Sequence, residues 1–320
     1  MRSRLALCLL TVALCAACSG TGGGSDAAGS GTLAEPVPAE AAVTTVGATV
    51  VPTTTTEAPL DAAALADELS DVEAALRAPG VSGDELAALG QRQQLAYRAV
   101  NRHPEWHTQL QQLVAPVAAD PLDFHLMARA AQTAHAAGRP PAEPATELPA
   151  WTIVGPLPID ELLGYYRDAE AATGVPWQYL AAIHFQETRM GRVVGVSSAG
   201  AVGPMQFLPS TWAGCCEGDP TVARDAILGA ARYLVLRGAP ADMQAALYGY
   251  NPNDGYVGAV TAYAVAMLED ERAYLGFHGW QVFYATAEGT VRLPVGYSQS
   301  APIGAAAYLR DRPEDLLPAV

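Results

Sequence analysis

The chain has 320 residues, half of them apolar, enough to bury a sizeable core in one or two domains. Its 18 Lys and Arg against 33 Asp and Glu give a formal net charge of −15. That balance excludes a nucleic-acid binder, whose affinity comes from basic patches on phosphates, and it leaves no polybasic segment for anionic lipid.

Arg2 and Arg4 form a short positive region, and Leu5 to Leu14 is an apolar run of signal-peptide length. A spanning helix needs ~20 apolar residues, so this run is too short to stay in a bilayer unaided. It ends in Leu14-Cys15-Ala16-Ala17-Cys18-Ser19. Two small residues directly before a cysteine resemble the bacterial lipobox, although Cys15 stands where leucine is usual. The resemblance implies a lipoprotein signal peptide over 1–18, with Cys18 lipidated and anchoring the chain to the membrane. Plain secretion is the alternative. Residues 19–60 are mostly Gly, Ser, Thr, Ala and Pro, with Gly22-Gly23-Gly24 and Thr53 to Thr56, and read as a flexible linker.

From Asp61 to Gly138 the pattern is helical. Leu65, Leu69, Val72 and Leu76 recur at i, i+4, i+7 and i+11 and form one apolar stripe, which Pro79-Gly80 stops. A second helix carries Leu86, Leu89 and Tyr97. Two more are expected over 105–114 and 122–136, with Pro104 and Pro121 near their starts. These helices read as an accessory region, 61–138, that supports packing. His103 and His107 are four apart, a spacing that could hold a metal on a helix. Pro104 intervenes and no third ligand is evident, so a solvent-facing pair is expected. A Pro-rich linker follows over 139–150.

The segment 151–275 is expected to hold helices over 160–173, 177–190, 222–237, 243–248 and 255–273. Asp219, Pro220 and Gly238 are the expected cap, first turn and stop of the third. In the extension 276–320, Trp280 to Thr286 and Thr290 to Leu293 flank Glu288-Gly289 and suggest a small hairpin. Cys215-Cys216 reads as a pair of thiols, with a vicinal disulfide as the alternative.

The stretch Val175 to Trp212 carries the chemistry. Leu180, Ile183, His184 and Glu187 fall on one helix face. A carboxylate among apolar neighbours is costly to ionise, and one near the negative end of its helix dipole more so. Both effects favour a glutamic acid that keeps its proton near neutral pH, as a general acid requires. The alternative is a glutamate at a helix rim that turns to solvent.

Three motifs in order narrow this choice: Gln186-Glu187-Thr188, then Ala199-Gly200-Ala201-Val202-Gly203-Pro204-Met205-Gln206-Phe207, then Ala246-Leu247-Tyr248-Gly249-Tyr250-Asn251. They resemble Glu-Ser/Thr, Gly-x-Met-Gln and Tyr-Asn of the lysozyme-like soluble lytic transglycosylase family, over about Asp160 to Met267. The resemblance implies a mainly α, lysozyme-like domain that cuts the glycan strands of peptidoglycan outside the cytoplasm, facing the cell wall. It implies Glu187 as catalytic acid and base, with Thr188, Met205, Gln206, Tyr250 and Asn251 around the substrate. Core packing of Met205 and helix termination at Asn251 are the plainer readings of those two.

Ordinary glycosidases place two carboxyls across the scissile bond. Here no Asp or Glu occurs between Thr188 and Cys216. The resemblance therefore implies lytic cleavage of the MurNAc-GlcNAc bond with a 1,6-anhydromuramoyl product, needing no metal or cofactor. A hydrolytic muramidase using Asp219 or Asp225, and a non-catalytic peptidoglycan-binding lipoprotein, are the competing readings. No protein partner is indicated. A Ser-His-Asp hydrolase is disfavoured, since no Gly-x-Ser-x-Gly occurs.

Overall fold

The computed structural model describes residues 61–137 and 143–318. The leader, Cys18 and the linker 19–60 lie outside the described residues. The fold is mainly α, in keeping with a lysozyme-like domain, with helix over 61% of it and a few short strands.

Helix α1 (Ala62–Leu76) begins at Asp61, whose carboxylate accepts from Ala64 N at 2.9 Å. Leu65, Leu69, Val72 and Leu76 are all buried, so the stripe is a core face. Helix α2 (Gly83–Arg102) packs on α1 and brings polar atoms into the same interface. There the buried Glu73 accepts from Gln93 Nε2 at 2.9 Å and Tyr97 Oη at 2.6 Å, and it pairs with Arg77. A buried charge is tolerated only with such partners. After the turn Pro104–Trp106 come α3 (His107–Leu113) and α4 (Pro116–Ala136). Contrary to expectation, α4 starts at Pro116, whose ring suits a first turn, and runs through Pro121.

His103 and His107 are not a solvent-facing pair. His103 stacks on Trp106 at 3.7 Å and bonds Glu105, whereas His107 bonds the Val100 carbonyl at 2.9 Å. Among the described residues, no group of three His, Cys, Asp or Glu side chains could hold a metal. Nor is any described helix long and apolar enough to cross a membrane.

Six further helices follow: α5 (Ile159–Thr173), α6 (Trp177–Thr188), α7 (Pro209–Cys215), α8 (Ala223–Leu236), α9 (Met243–Tyr250) and α10 (Asp254–Glu269). Then α11 (Ala273–Gly279) separates from α10 because Asp270 turns the chain, its carboxylate accepting from Arg272 N at 2.9 Å. Helix α10 is the spine, packed against α4, α6 and α9. Its small residues make this possible: a Cβ on Gly258 would lie 2.4 Å from Ala131 Cβ of α4. The buried residues of α1, α2, α4, α5, α6 and α8 to α11 make one continuous core with α10.

Helix α6 is buried nearly all round rather than along one stripe. It stops at Thr188, and Arg189, Met190 and Gly191 all have positive φ, so the break is sharper than one glycine would make it. Val222 stands at the N-cap of α8, where Asp219 was expected. Asp219 instead caps the preceding turn, accepting from Thr221 N at 2.8 Å. Cys215 and Cys216 are joined as a vicinal disulfide rather than left as thiols, since Cys216 leaves α7 in an extended conformation.

Three antiparallel ribbons complete the fold. Strand β1 (Glu147–Leu148) pairs with β6 (Ile303–Gly304), and β2 (Thr152–Ile153) pairs with β3 (Val193–Val194). The expected hairpin is β4 (Val282–Thr286) with β5 (Gly289–Leu293). Leu148, Ile153, Val282, Val291 and Tyr297 form a second, smaller core, onto which α12 (Ala305–Asp311) packs.

Candidate active site

Glu187 occupies the last turn of α6, where the carbonyl ends of the helix repel an anion. It is half-buried, and burial raises its carboxyl to about 7, against a smaller lowering by the Tyr256 hydroxyl. At neutral pH a large fraction is therefore still protonated. The next residue, Thr188, fixes the chain around it. Its hydroxyl donates to the Pro204 carbonyl at 2.6 Å and accepts from Gly191 N at 3.1 Å. One side chain thus ties the end of α6 to the loop 197–207.

That loop is wound tightly. Val202 and Phe207 exchange two backbone hydrogen bonds, and Gly203 has a φ of +76°. Gln206 sits in the left-handed region at φ +52°, which is costly for a side chain with a Cβ and is found where a surrounding structure holds it. Its Nε2 donates to Gly203 O at 2.9 Å, so the amide braces its own loop. Met205 is fully buried and packs in the core. Its carbonyl is the functional atom here, accepting from Tyr250 Oη at 2.7 Å.

The third motif closes the site through the corner between α9 and α10. Asn251 ends α9, its N–H donating to Leu247 O at 2.9 Å, and its carbonyl accepts from Asn253 N at 2.7 Å. The Asn253 carboxamide caps α10, accepting from Gly255 N at 2.9 Å and Tyr256 N at 3.1 Å. This corner stacks the Tyr250 and Tyr256 rings, 6.4 Å apart and 5° from parallel. Both phenols are pushed well above their usual range, first by burial and then by the Glu187 charge, so both stay neutral. Glu187, Thr188, Met205, Gln206 and Tyr250 thus belong to one connected group, and Asn251 contributes the turn that shapes it.

Tyr256 is the residue that sequence reasoning missed. It lies beyond the Tyr-Asn motif, and its signal was the Asn253 cap, which fixes where α10 starts. Its buried hydroxyl has no settled partner within the protein and turns to the Glu187 carboxyl. Tyr256→Phe removes the one group holding that carboxyl down. The pKa read from the alkaline limb of a pH–rate profile should then rise, by up to about one unit. An unmoved limb would show that the phenol does not act on Glu187.

The later acids are engaged elsewhere. Asp219 is held by Thr221, Asp225 accepts from Asp219 N at 3.0 Å, and the exposed Glu217 faces Arg232. The arrangement offers one protonated carboxyl, two neutral phenols and a braced amide-bearing loop. It can give a proton to a polar leaving atom and take one back.

In comparison with known proteins, the chain is 35% identical over 81 residues to a membrane-bound lytic murein transglycosylase F of Thiobacillus denitrificans. The match spans 25% of this chain and 17% of that relative's length. No family model and no solved structure matches the chain.

Proposed function

We propose that this protein is a peptidoglycan lytic transglycosylase, and that Glu187 performs both proton transfers. The observation that carries the reading is a glutamic acid raised to about 7 at the end of α6. In the first step Glu187 gives its proton to the oxygen between N-acetylmuramic acid and N-acetylglucosamine, and the C1–O bond breaks. The substrate's own N-acetyl oxygen stabilises the developing cation at C1. In the second step the Glu187 carboxylate takes the proton of the muramoyl C6 hydroxyl, whose oxygen bonds C1 and closes the 1,6-anhydro ring. Glu187 is then protonated again, and no water is consumed.

Burial among neutral neighbours, the Tyr250 and Tyr256 rings included, keeps the proton on Glu187 against the smaller opposing effect of the Tyr256 hydroxyl. Gln206, Thr188 and Asn251 complete the substrate side as binding or positioning residues. The similarity in part to a murein transglycosylase supports the substrate class. We place the enzyme outside the cytoplasm, tethered at a lipidated Cys18 by the linker 19–60 so that the folded part reaches the wall.

Product analysis decides the reaction. Purified sacculi digested with the protein should yield muropeptides with 1,6-anhydro ends, about 18 Da lighter than hydrolytic products because water is not added. Reducing ends alone would mean a hydrolytic muramidase. Binding without release of fragments would mean a wall-binding protein.

A further inference from the structure

The vicinal pair Cys215–Cys216 lies outside the Glu187 group, and the cleavage chemistry makes no use of it. Both cysteines are half-buried, and both line an open concavity of about 450 Å3 together with Ala213, Gly214, Glu217 and Arg232. A dissolved reagent can therefore reach the sulfurs. Arg232 stands at that opening, its side chain 43% exposed, and meets Glu217 only at 3.5 Å in a pair that solvent weakens. Its guanidinium can turn to an incoming anion. A thiolate is such an anion, and thiolates are what attack disulfides.

The two sulfurs differ in their surroundings. Cys215 ends α7, whereas the Cys216 sulfur lies 3.5 Å from the Gly229 carbonyl oxygen of α8. A disulfide sulfur has no proton to give, so only a Cys216 thiol can use this acceptor. The reduced form thus has a hydrogen bond waiting that the oxidised form cannot make. The pair has two satisfied states within one frame.

The same few atoms touch the ring that leads to the Glu187 group. Trp212 covers Gly229 so closely that a Cβ there would lie 2.5 Å from Trp212 Cζ3, and 3.4 Å from Cys216 Sγ. The Trp212 carbonyl accepts from Cys216 N at 3.0 Å, and its indole N–H donates to Gly218 O at 3.3 Å. Its ring meets Phe207 edge-on at 5.0 Å, and Phe207 meets Tyr250 at 5.8 Å. Tyr250 in turn hangs on the carbonyl of Met205, two residues before Phe207. A ring closed between neighbouring sulfurs fixes the peptide between them and with it the end of α7. Opening it releases that end.

We propose that Cys215–Cys216 is a redox-active site that exchanges with an external dithiol, and that its reduction lowers cleavage by loosening Trp212, Phe207 and Tyr250. The output rests on the lytic reading above; the exchange does not. One thiolate of the dithiol bonds Cys215 Sγ. The bond between the two cysteines breaks, and its electron pair leaves on the Cys216 sulfur, which takes up the proton shed by the dithiol and donates it to Gly229 O. The second thiolate of the dithiol then attacks its partner sulfur in the mixed disulfide and expels Cys215, which is protonated likewise. The dithiol ends as a disulfide, two electrons poorer, and the pair ends as two thiols. The oxidised form is the active one, in keeping with the oxidising surroundings in which disulfides persist.

The test uses the full chain without denaturant. Dithiothreitol at about 5 mM should convert residues 215 and 216 to thiols, which iodoacetamide then labels for peptide mass spectrometry. Reduction should lower kcat on glycan strands at least about threefold with KM within about twofold, and oxidised glutathione should restore it. The double variant Cys215→Ser, Cys216→Ser should sit at the reduced rate and ignore both reagents, which separates the pair from Cys8, Cys15 and Cys18. Arg232→Gln should slow the reduction about threefold at low salt, Glu217→Gln should hasten it by a similar factor, and about 1 M salt should abolish both effects. Unchanged rates in both variants would remove the entry face assigned here. A pair that resists dithiothreitol in the folded protein, or a reduced protein as active as the oxidised one, overturns the proposal. If neither form cuts glycan, the lytic reading fails by itself. The Trp212 indole N–H and Tyr250 ring resonances then decide: reduction should shift both, and fixed resonances overturn the proposal.

Discussion

Glu187→Gln should lower glycan cleavage at least about 10³-fold while leaving the affinity for intact strands within about threefold of wild type. The replacement keeps size and polarity and removes the transferable proton. Wild-type activity should fall as pH rises through about 7, the value to which burial lifts this carboxyl, because the deprotonated form cannot start the reaction. The variant's residual rate should show no such limb. The stability of the wild type should fall over the same side of the pH scale. A raised carboxyl contributes its full stability below the ordinary carboxylate range and loses it as pH climbs from there to about 7. Glutamine has no proton to lose. The variant should therefore gain up to about 3 kcal/mol on wild type between pH 4 and pH 8 in denaturant titrations. Undiminished cleavage by Glu187→Gln would remove the mechanism. An equal stability difference at both pH values would remove its electrostatic basis.

The second large effect is expected from Gly203→Ala. A Cβ there would lie 1.8 Å from the Pro220 carbonyl oxygen and 2.7 Å from its carbon, and neither is a flexible side-chain end. The backbone itself is at φ +76°, where alanine is strained even with free space. Either the loop or the Pro220 segment must move, at a cost of at least about 3 kcal/mol. Activity should fall with stability. The moved loop also holds the Met205 carbonyl on which Tyr250 hangs, the Pro204 carbonyl bound by Thr188, and Gln206. Thermal unfolding and cleavage assays together check this. A variant as stable as wild type would show that the loop has room that its contacts deny.

Much of this architecture was legible because local rules and tertiary packing agree. The stripe Leu65, Leu69, Val72, Leu76 is the core face of α1, and Glu288-Gly289 marks the turn of the β4–β5 hairpin. Where they disagree, the reading slipped. Ribbons β1–β6 and β2–β3 pair residues forty or more positions apart through two-residue strands, too short to show alternation. Helix α7 is seven residues and begins with Pro-Ser-Thr, which reads as a turn. At the site, the expectation of a protonated Glu187 needed only its helical position. Tyr256 and the brace made by the Gln206 amide depend on a folded corner and a left-handed residue, neither of which has a spacing to read.

The buried contact between α4 and α10 has a practical meaning for anyone trimming the gene. The stretch before residue 138 supplies one wall of the helix that presents Tyr256 to the acid. A fragment starting at Trp151 would bare the apolar side of that helix to water. It would be an incomplete protein rather than a minimal enzyme.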